Sequence, residues 1–235
     1  MKKYIGTKQI EAEPMTRGDA WGKHLLREKP STENFDDEGY HARYEDGYES
    51  WSPKDTFEKA YNIAETPVGR MQIEAEELNG RYVKLAIFID SGKMDEVVND
   101  IYNKCLLEMQ CYTMFDYIRL LDTRIQRMQG SDGAKVRKMN FGMAIMALKA
   151  GYPIRRSGWN GKGLMVFKQV PAHIDSDIIP KMQSLPQSAK DLILKGKGFI
   201  DYTSQCLIYN ENTGRAGSWV PSISDVFADD WEIVQ

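Results

Sequence analysis

Residues 139–170, MNFGMAIMALKAGYPIRRSGWNGKGLMVFKQV, decide the fold of the C-terminal part of this 235-residue chain. The first half carries apolar side chains on one helical face, at Phe141, Ala144, Ile145 and Leu148. Gly151 is a typical helix stop, and the second half predicts two strands joined by a turn at Asn160-Gly161. A helix that leads into a strand hairpin predicts a domain of the α+β class.

The residues that follow extend this domain over 139–235. A second hairpin is predicted around the turn NENTG at 210–214. One helical turn with Ser222 as its N-cap and a final strand complete the pattern. We therefore expect a compact α+β domain built on an antiparallel sheet.

Three further segments precede this domain. Residues 1–65 predict a small α+β domain, with a strand in MKKYIGTKQIEAEPM and a hairpin turn at Asp46-Gly47. Residues 69–128 predict an antiparallel helical hairpin, and 129–138 predict a linker rich in glycine and polar residues. A lone pair of helices cannot bury both of its apolar faces, so the hairpin is expected to dock on the other domains or on another subunit.

The composition is that of an ordinary globular protein, with 42% hydrophobic and 28% charged residues. The net charge of −3 argues against a DNA or RNA polymer as the ligand. No apolar run reaches the roughly 20 residues of a membrane span, and the first residues lack the apolar core of a signal peptide. These features predict a cytoplasmic protein that does not bind membranes.

The three cysteines, Cys105, Cys111 and Cys206, are expected to be buried reduced thiols, because their number is odd and none forms a CxxC pair. With only three scattered histidines beside them, no metal or other cofactor is expected. Local basic clusters remain as sites for a small anionic ligand. They comprise Lys135, Arg137 and Lys138, and the pair Arg155-Arg156.

The nine residues RRSGWNGKG at 155–163 are the strongest candidate for a ligand site. Arg156 could pair with phosphate oxygens, Lys162 adds a positive charge, and Trp159 offers a face for a nucleotide base. The glycines allow backbone N–H groups to approach an anion closely. The alternative is an ordinary hairpin with an Asn-Gly turn and Trp159 in the core.

A second candidate cluster lies at 218–222 together with Asp225. Either Ser218 or Ser222, together with Asp225, could hold ribose hydroxyls, and Trp219 could stack on a second base. The alternative for Ser222 is a structural role as the N-cap alone.

No catalytic constellation is evident. A hydrolase of phosphodiesters needs a metal site or a pair of histidines, which the sequence does not suggest. The pair Asp229-Asp230 is expected to face solvent or to cap a turn, and Trp231 is expected in the core. The chain is therefore not expected to be an enzyme.

Three stretches within 139–235 together resemble the second type of Thoeris anti-defence protein: MNFGMAIMALKAG, RRSGWNGKG and SWVPSISDVFADDWEIV. The resemblance implies a phage-encoded sponge that binds glycocyclic ADP-ribose signals without cleaving them, and some members also take cyclic dinucleotides. It also implies a tetramer with pockets between subunits. The residues implied to face the ligand are Arg156, Trp159, Asn160, Gly161, Lys162, Trp219, Pro221, Ser222 and Asp225.

Within 69–128, EELNGRYVKLAIFIDSGKMDEVV and LLEMQCYTMFDYIRLLDTRI look like the helical hairpin of anti-CBASS sponges and of the first type of Thoeris anti-defence protein. This resemblance implies cyclic di- or trinucleotides as additional ligands and a hexamer as the assembly. The candidate binding residues are Lys84, Phe88, Gln110, Tyr117 and Arg124. Gln110 is expected on the apolar seam, where it needs a polar partner. A plain oligomerisation hairpin is the alternative.

The stretch DGYESWSPK at 46–54 is similar to the signature of a small phage-associated domain without a known activity, and Tyr48 and Trp51 are expected in its core. Taken together, the sequence predicts a symmetric homo-oligomeric sponge in the cytoplasm of the infected bacterial host. Two alternatives stay open. One is a phosphodiesterase-type enzyme that degrades the signals, and the other is a ligand-free structural or interaction protein of the phage.

Overall fold

The computed structural model of the chain describes residues 9–234, so the beginning of the predicted N-terminal strand lies outside the described residues. The chain forms two compact units, of which one extends to Ile73 and the other begins at Glu74. Helices and antiparallel sheets are both present, which confirms the predicted α+β class. No helix within 9–234 is long and apolar enough to cross a membrane.

The first unit is built on an antiparallel sheet of three strands in the order β1-β2-β3. Its elements are β1 (Ile10–Thr16), α1 (Arg17–Gly22), β2 (Glu38–Tyr44), β3 (Glu49–Pro53) and α2 (Lys54–Glu58). Gly47 has a φ of 82° in the turn between β2 and β3, as the Asp-Gly pair predicts. Half-buried Trp51 donates its Nε1–H to the carbonyl of Met15 at 2.9 Å. Tyr48 is 63% exposed at the turn, so the prediction that it belongs to the core is wrong.

Two long helices follow the sheet unit. The helical elements are α3 (Pro67–Asp90), α4 (Lys93–Val97) and α5 (Ile101–Met128). Gly92 adopts a left-handed φ of 75° at the N-cap of α4, and the side chain of Asp100 caps α5. The rings of Tyr82 on α3 and Phe115 on α5 stack with their centroids 5.6 Å apart. Cys105 on α5 is exposed and Cys111 and Cys206 are half-buried, so the prediction that the three thiols are buried is wrong.

The C-terminal sheet has five antiparallel strands in the order β10-β4-β5-β8-β9. The elements of this region are α6 (Phe141–Lys149), β4 (Ile154–Arg156), β5 (Leu164–Lys168), β6 (Ala172–Ile174), α7 (Gln187–Lys195), β7 (Ile200–Tyr202), β8 (Cys206–Asn210), β9 (Arg215–Ser218), α8 (Ile223–Val226) and β10 (Trp231–Ile233). The α6 helix covers the sheet, with Ala144 and Leu148 packed in a core that contains Ile154, Val166 and Trp231. This core supports the loops that carry most of the predicted ligand residues.

The connection between β4 and β5 differs from the prediction. Instead of a tight turn at Asn160-Gly161, a seven-residue loop spans 157–163, and the left-handed residue is Gly163 with a φ of 80°. The second hairpin turn and the N-cap at Ser222 are confirmed, and Gly214 has the left-handed φ of 67° that such a turn uses.

Candidate functional site

Asp230 anchors the first half of the 157–163 loop. Its Oδ2 accepts a hydrogen bond from the Gly158 amide at 2.7 Å, and its carbonyl accepts one from the Ser157 amide at 3.0 Å. A Cβ on Gly158 would lie 2.5 Å from that carboxylate oxygen, so glycine permits the close approach. Asp230 is half-buried and supports the loop. It does not face solvent as one of an acidic pair.

Arg156 is held between two carboxylates. Its Nε donates to Asp230 Oδ1 at 2.7 Å, and its Nη1 donates to Asp225 Oδ1 at 3.0 Å. Nη1 also lies 3.2 Å from the carbonyl of Ser224, and the side chain is only 18% exposed. The hydrogen bond to Asp230 raises the pKa of Arg156, against the opposing effect of burial. A ligand phosphate would therefore compete with two carboxylates for this guanidinium.

Asp225 joins the two candidate clusters. Its Oδ1 accepts the indole N–H of Trp159 at 3.1 Å in addition to the bond from Arg156. Its Oδ2 accepts the amide of Ser222 at 3.0 Å, and the Ser222 hydroxyl caps the Asp225 amide in return, which forms a capping box. Burial alone raises the pKa of Asp225, but the hydrogen bonds from Ser222, Arg156 and Trp159 outweigh it and hold the pKa at about 2.

Acid is expected to destabilise this region through Asp225. Because the folded-state pKa of about 2 lies below the usual 3.8, the ionised carboxylate stabilises the fold above pH 4, and this contribution is lost as the pH falls towards 2. Between pH 5 and pH 2 the free energy of unfolding should fall by about 2 kcal/mol more in the wild type than in Asp225→Asn. Urea unfolding at both pH values measures the difference. An equal loss in the two proteins would show that Asp225 does not carry it.

Three tryptophans form an aromatic group beneath the loops. Trp159 and Trp219 meet buried Trp231 edge-on, with ring centroids 5.5 Å and 6.1 Å away. Trp159 and Trp219 are half-buried and pack against the core, and Trp231 is fully buried as predicted. The hydrogen bond at its N–H and the contact with Trp231 fix the Trp159 indole in place. Trp159 therefore has a structural role, whereas a side chain that only stacked on a base would not need these contacts.

The second half of the loop presents its side chains outward. Asn160, Gly161 and Lys162 are exposed, and within 9–234 the Lys162 ammonium has neither an ion pair nor a hydrogen bond. The backbone at this point is fixed, since the Lys162 carbonyl accepts a bond from Asn212 Nδ2 at 2.6 Å and the Gly163 carbonyl accepts one from the Glu211 amide at 2.9 Å. The structure therefore holds an uncommitted cation on an ordered loop.

The structure divides the C-terminal candidates into two groups. Arg156, Ser222 and Asp225 belong to an internal hydrogen-bond network, which Trp159 joins through its indole. The outward-facing group comprises Asn160, Gly161 and Lys162. Pro221 is half-buried beside the cap, and Trp219 packs on the core. Sequence reasoning missed the anchoring role of Asp230, which lies 74 positions from Arg156, because no local pattern links two residues at that separation.

The hairpin candidates do not form one cluster of contacts. Lys84, Gln110 and Arg124 are exposed, and Phe88 is half-buried. The Tyr117 hydroxyl donates to the carboxylate of Glu74, and this bond raises the pKa of Tyr117. Gln110 is exposed, so the structure does not bury it within the apolar seam.

Comparisons with known proteins match two parts of the chain. Residues 139–234 match the family model of the Thoeris anti-defense 2-like domain, and residues 65–127 match the model of the family called Sequestin. A relative from Bacillus phage SP01, described as Thoeris anti-defense 2, is 33% identical over 102 residues. That alignment covers 41% of this chain and 96% of the relative. All nine C-terminal candidates lie inside the first matched range, and residues 128–138 lie outside both ranges.

Proposed function

Because the chain belongs to the Thoeris anti-defense 2 family, we propose that it is a phage anti-defence protein that sequesters an immune signal and does not cleave it. The observation that carries the proposal is the alignment with the phage relative, which extends over 96% of that protein. The match of residues 65–127 to the Sequestin family gives independent support, since its name describes sequestration. The protein is thus a sponge that combines two matched modules in one chain.

The signal that we propose is a small anionic cyclic nucleotide, glycocyclic ADP-ribose in the first place and a cyclic di- or trinucleotide as a second kind. The exposed end of the 157–163 loop suits such a ligand, because Lys162 offers a free positive charge close in sequence to the exposed amide of Asn160. Arg156 and Asp225 hold this loop in place, which reduces the ordering that binding would otherwise require.

A neighbouring subunit is proposed to complete the pocket. Next to the second candidate cluster, three apolar side chains are 80% exposed or more: Val220, Ile223 and Phe227. Adjacent exposed apolar residues of this size mark binding surfaces. A nucleotide pocket closed from both sides also excludes water, which strengthens the bonds to phosphate. We therefore propose a homo-oligomer with at least one two-fold axis.

Lys162→Gln is expected to weaken ligand binding at least tenfold, because it removes one charge-assisted bond of roughly 1.5–3 kcal/mol. The melting temperature should stay within a degree or two, since the ammonium has no partner in the described part of the chain. Titration calorimetry against glycocyclic ADP-ribose isomers and cyclic dinucleotides measures the effect.

Lys168→Gln is the matched control, because Lys168 is also exposed but lies on β5 away from the loop. Its affinity should equal that of the wild type. If no member of the panel binds the wild type, the protein is not a sponge for these signals. If the two lysine variants bind equally well, Lys162 is not part of the site.

A further inference from the structure

A second site candidate is an open cleft of about 1210 Å³ within the larger unit. It lies between the C-terminal half of α5, the connecting segment 133–138 and residues next to β4 and β10. Its helical wall is fixed to the C-terminal domain, because Leu120 packs against the domain core and Asn140 Nδ2 donates to Asp116 Oδ2 at 2.6 Å. Both walls come from one copy of the chain.

The connecting segment is hydrogen-bonded at both ends. Arg127 Nη1 donates to the carbonyl of Ala134 at 2.9 Å, and Met139 forms an antiparallel bridge with Trp231. Lys138, directly before this bridge, has a left-handed φ of 54°. The segment therefore reaches the cleft as an ordered strip of chain, although its composition predicts a linker.

Arg119 lines the cleft, and one nitrogen of its guanidinium is buried without a hydrogen-bond partner. Its Nη1 donates to Asp116 Oδ1 at 3.3 Å, and the group lies 5.3 Å from the centre of the Phe115 ring. Its Nη2 is buried and has no partner among the residues that the structure describes. A buried donor without a partner is uncommon, and an acceptor bound in the cleft would supply one. Guanidinium groups bind phosphate oxygens through strong, charge-assisted hydrogen bonds.

The connecting segment adds three exposed cations to the same cleft: Lys135, Arg137 and Lys138. None of the three side chains has an ion pair or a hydrogen bond in the described range 9–234. They form the basic cluster that the sequence marks as suited to a small anion. Because the whole chain has a net charge of −3, a local group of three unpaired cations indicates a site for an anion.

Four carboxylates also line the cleft, but two of them are neutralised by arginines. Asp230 pairs with Arg156 at 2.7 Å, and Glu232 pairs with Arg155 at 2.6 Å. The other two are Asp122 and Asp229, both exposed at the edge. Carboxylates in this position can accept hydrogen bonds from ribose hydroxyls. The lining thus suits a nucleotide better than a bare anion.

We propose that this cleft binds the phosphate groups of a small nucleotide, with half-buried Arg119 as the inner contact and Lys135 and Arg137 as outer contacts. The proposal rests on the proposed function, because the ligand belongs to the same chemical class as the sequestered signal. The three cations of the connecting segment lie outside both matched families. The site is therefore a property of the joined chain and of neither module alone.

Titration calorimetry of the full chain with inorganic pyrophosphate and with cyclic di-AMP tests the proposal. Pyrophosphate should bind the wild type, and both Arg119→Gln and Lys135→Gln/Arg137→Gln should weaken it at least tenfold. The double variant guards against misfolding, since both side chains are exposed and unpaired. The matched control is Lys149→Gln/Lys197→Gln, which removes two exposed charges outside the cleft and should change the affinity less than twofold.

The cleft proposal is overturned if pyrophosphate does not bind the wild type, or if both cleft variants bind it as the wild type does. These results leave the sponge function standing when a cyclic nucleotide still binds. The reverse pattern, in which pyrophosphate binding depends on Arg119 but no cyclic nucleotide binds, supports the cleft and removes the proposed function. If cyclic di-AMP binds the wild type but not the Lys135→Gln/Arg137→Gln variant, the cleft is a binding site for the signal.

Discussion

Asp225→Ala is expected to lower the free energy of unfolding by about 3–5 kcal/mol, the cost of breaking a buried ion pair from one side. Removing this carboxylate leaves the Arg156 guanidinium with one carboxylate in place of two and the Trp159 indole N–H without an acceptor. It also removes half of the capping box with Ser222. Urea unfolding followed by tryptophan fluorescence measures the change.

Asp229→Ala is the control for this prediction. Asp229 is exposed and makes no hydrogen bond in the described part of the chain, so its replacement should cost less than about 0.5 kcal/mol. If Asp225→Ala unfolds at the same urea concentration as Asp229→Ala, the network around Arg156 does not stabilise the domain. The loop would then lack the fixed support on which the ligand proposal depends.

Met109→Glu/Tyr112→Glu is expected to weaken self-association at least a hundredfold. At 100° per residue, the apolar residues Tyr102, Met109 and Tyr112 lie opposite the inner face of α5, which contains buried Leu121 and Ile125. The three outer side chains are between 58% and 73% exposed. A helix that is apolar on both faces is expected to pack against a partner on each face. We propose that a second copy of the chain packs on the outer face of α5. Sedimentation equilibrium measures the dissociation constant.

The matched control changes a charged residue close to Met109 and Tyr112. Glu108→Gln changes an exposed residue of the same helix without adding charge to the apolar stripe, so the assembly should keep its mass. If Met109→Glu/Tyr112→Glu has the same mass as the wild type at micromolar concentration, this face of α5 is not the interface.

The elements of the C-terminal domain were predictable because their signals are local. The apolar spacing of α6, the turn at 211–214 and the cap at Ser222 each depend on residues a few positions apart. The turn at Asn160-Gly161 was predicted wrongly for a physical reason. Asp230, which directly precedes β10, accepts hydrogen bonds from the amides of Ser157 and Gly158, and these contacts from a distant part of the sequence compete with the local preference for a two-residue turn.

The residue types of the candidate site were predictable from the sequence, but the contacts between them were not. The sequence marks Arg156 and Trp159 as chemically suited to a nucleotide, but not that Asp225 already bonds both of them. Such pairings depend on how strands that are distant in sequence align, and no spacing pattern records them. The unpartnered Nη2 of Arg119 is a further example, because it becomes visible only when α5 is seen against the C-terminal core.

We propose that the protein holds its signal intact, and this is tested by recovering the bound ligand. The 235-residue chain is saturated with glycocyclic ADP-ribose, freed of unbound nucleotide by filtration, and heated until it unfolds; the released material is then analysed by mass spectrometry. We predict that the nucleotide emerges with its original mass and retention time, in a fixed ratio to the protein chain. Release of a hydrolysed, linear product, or of no nucleotide at all, would contradict the account.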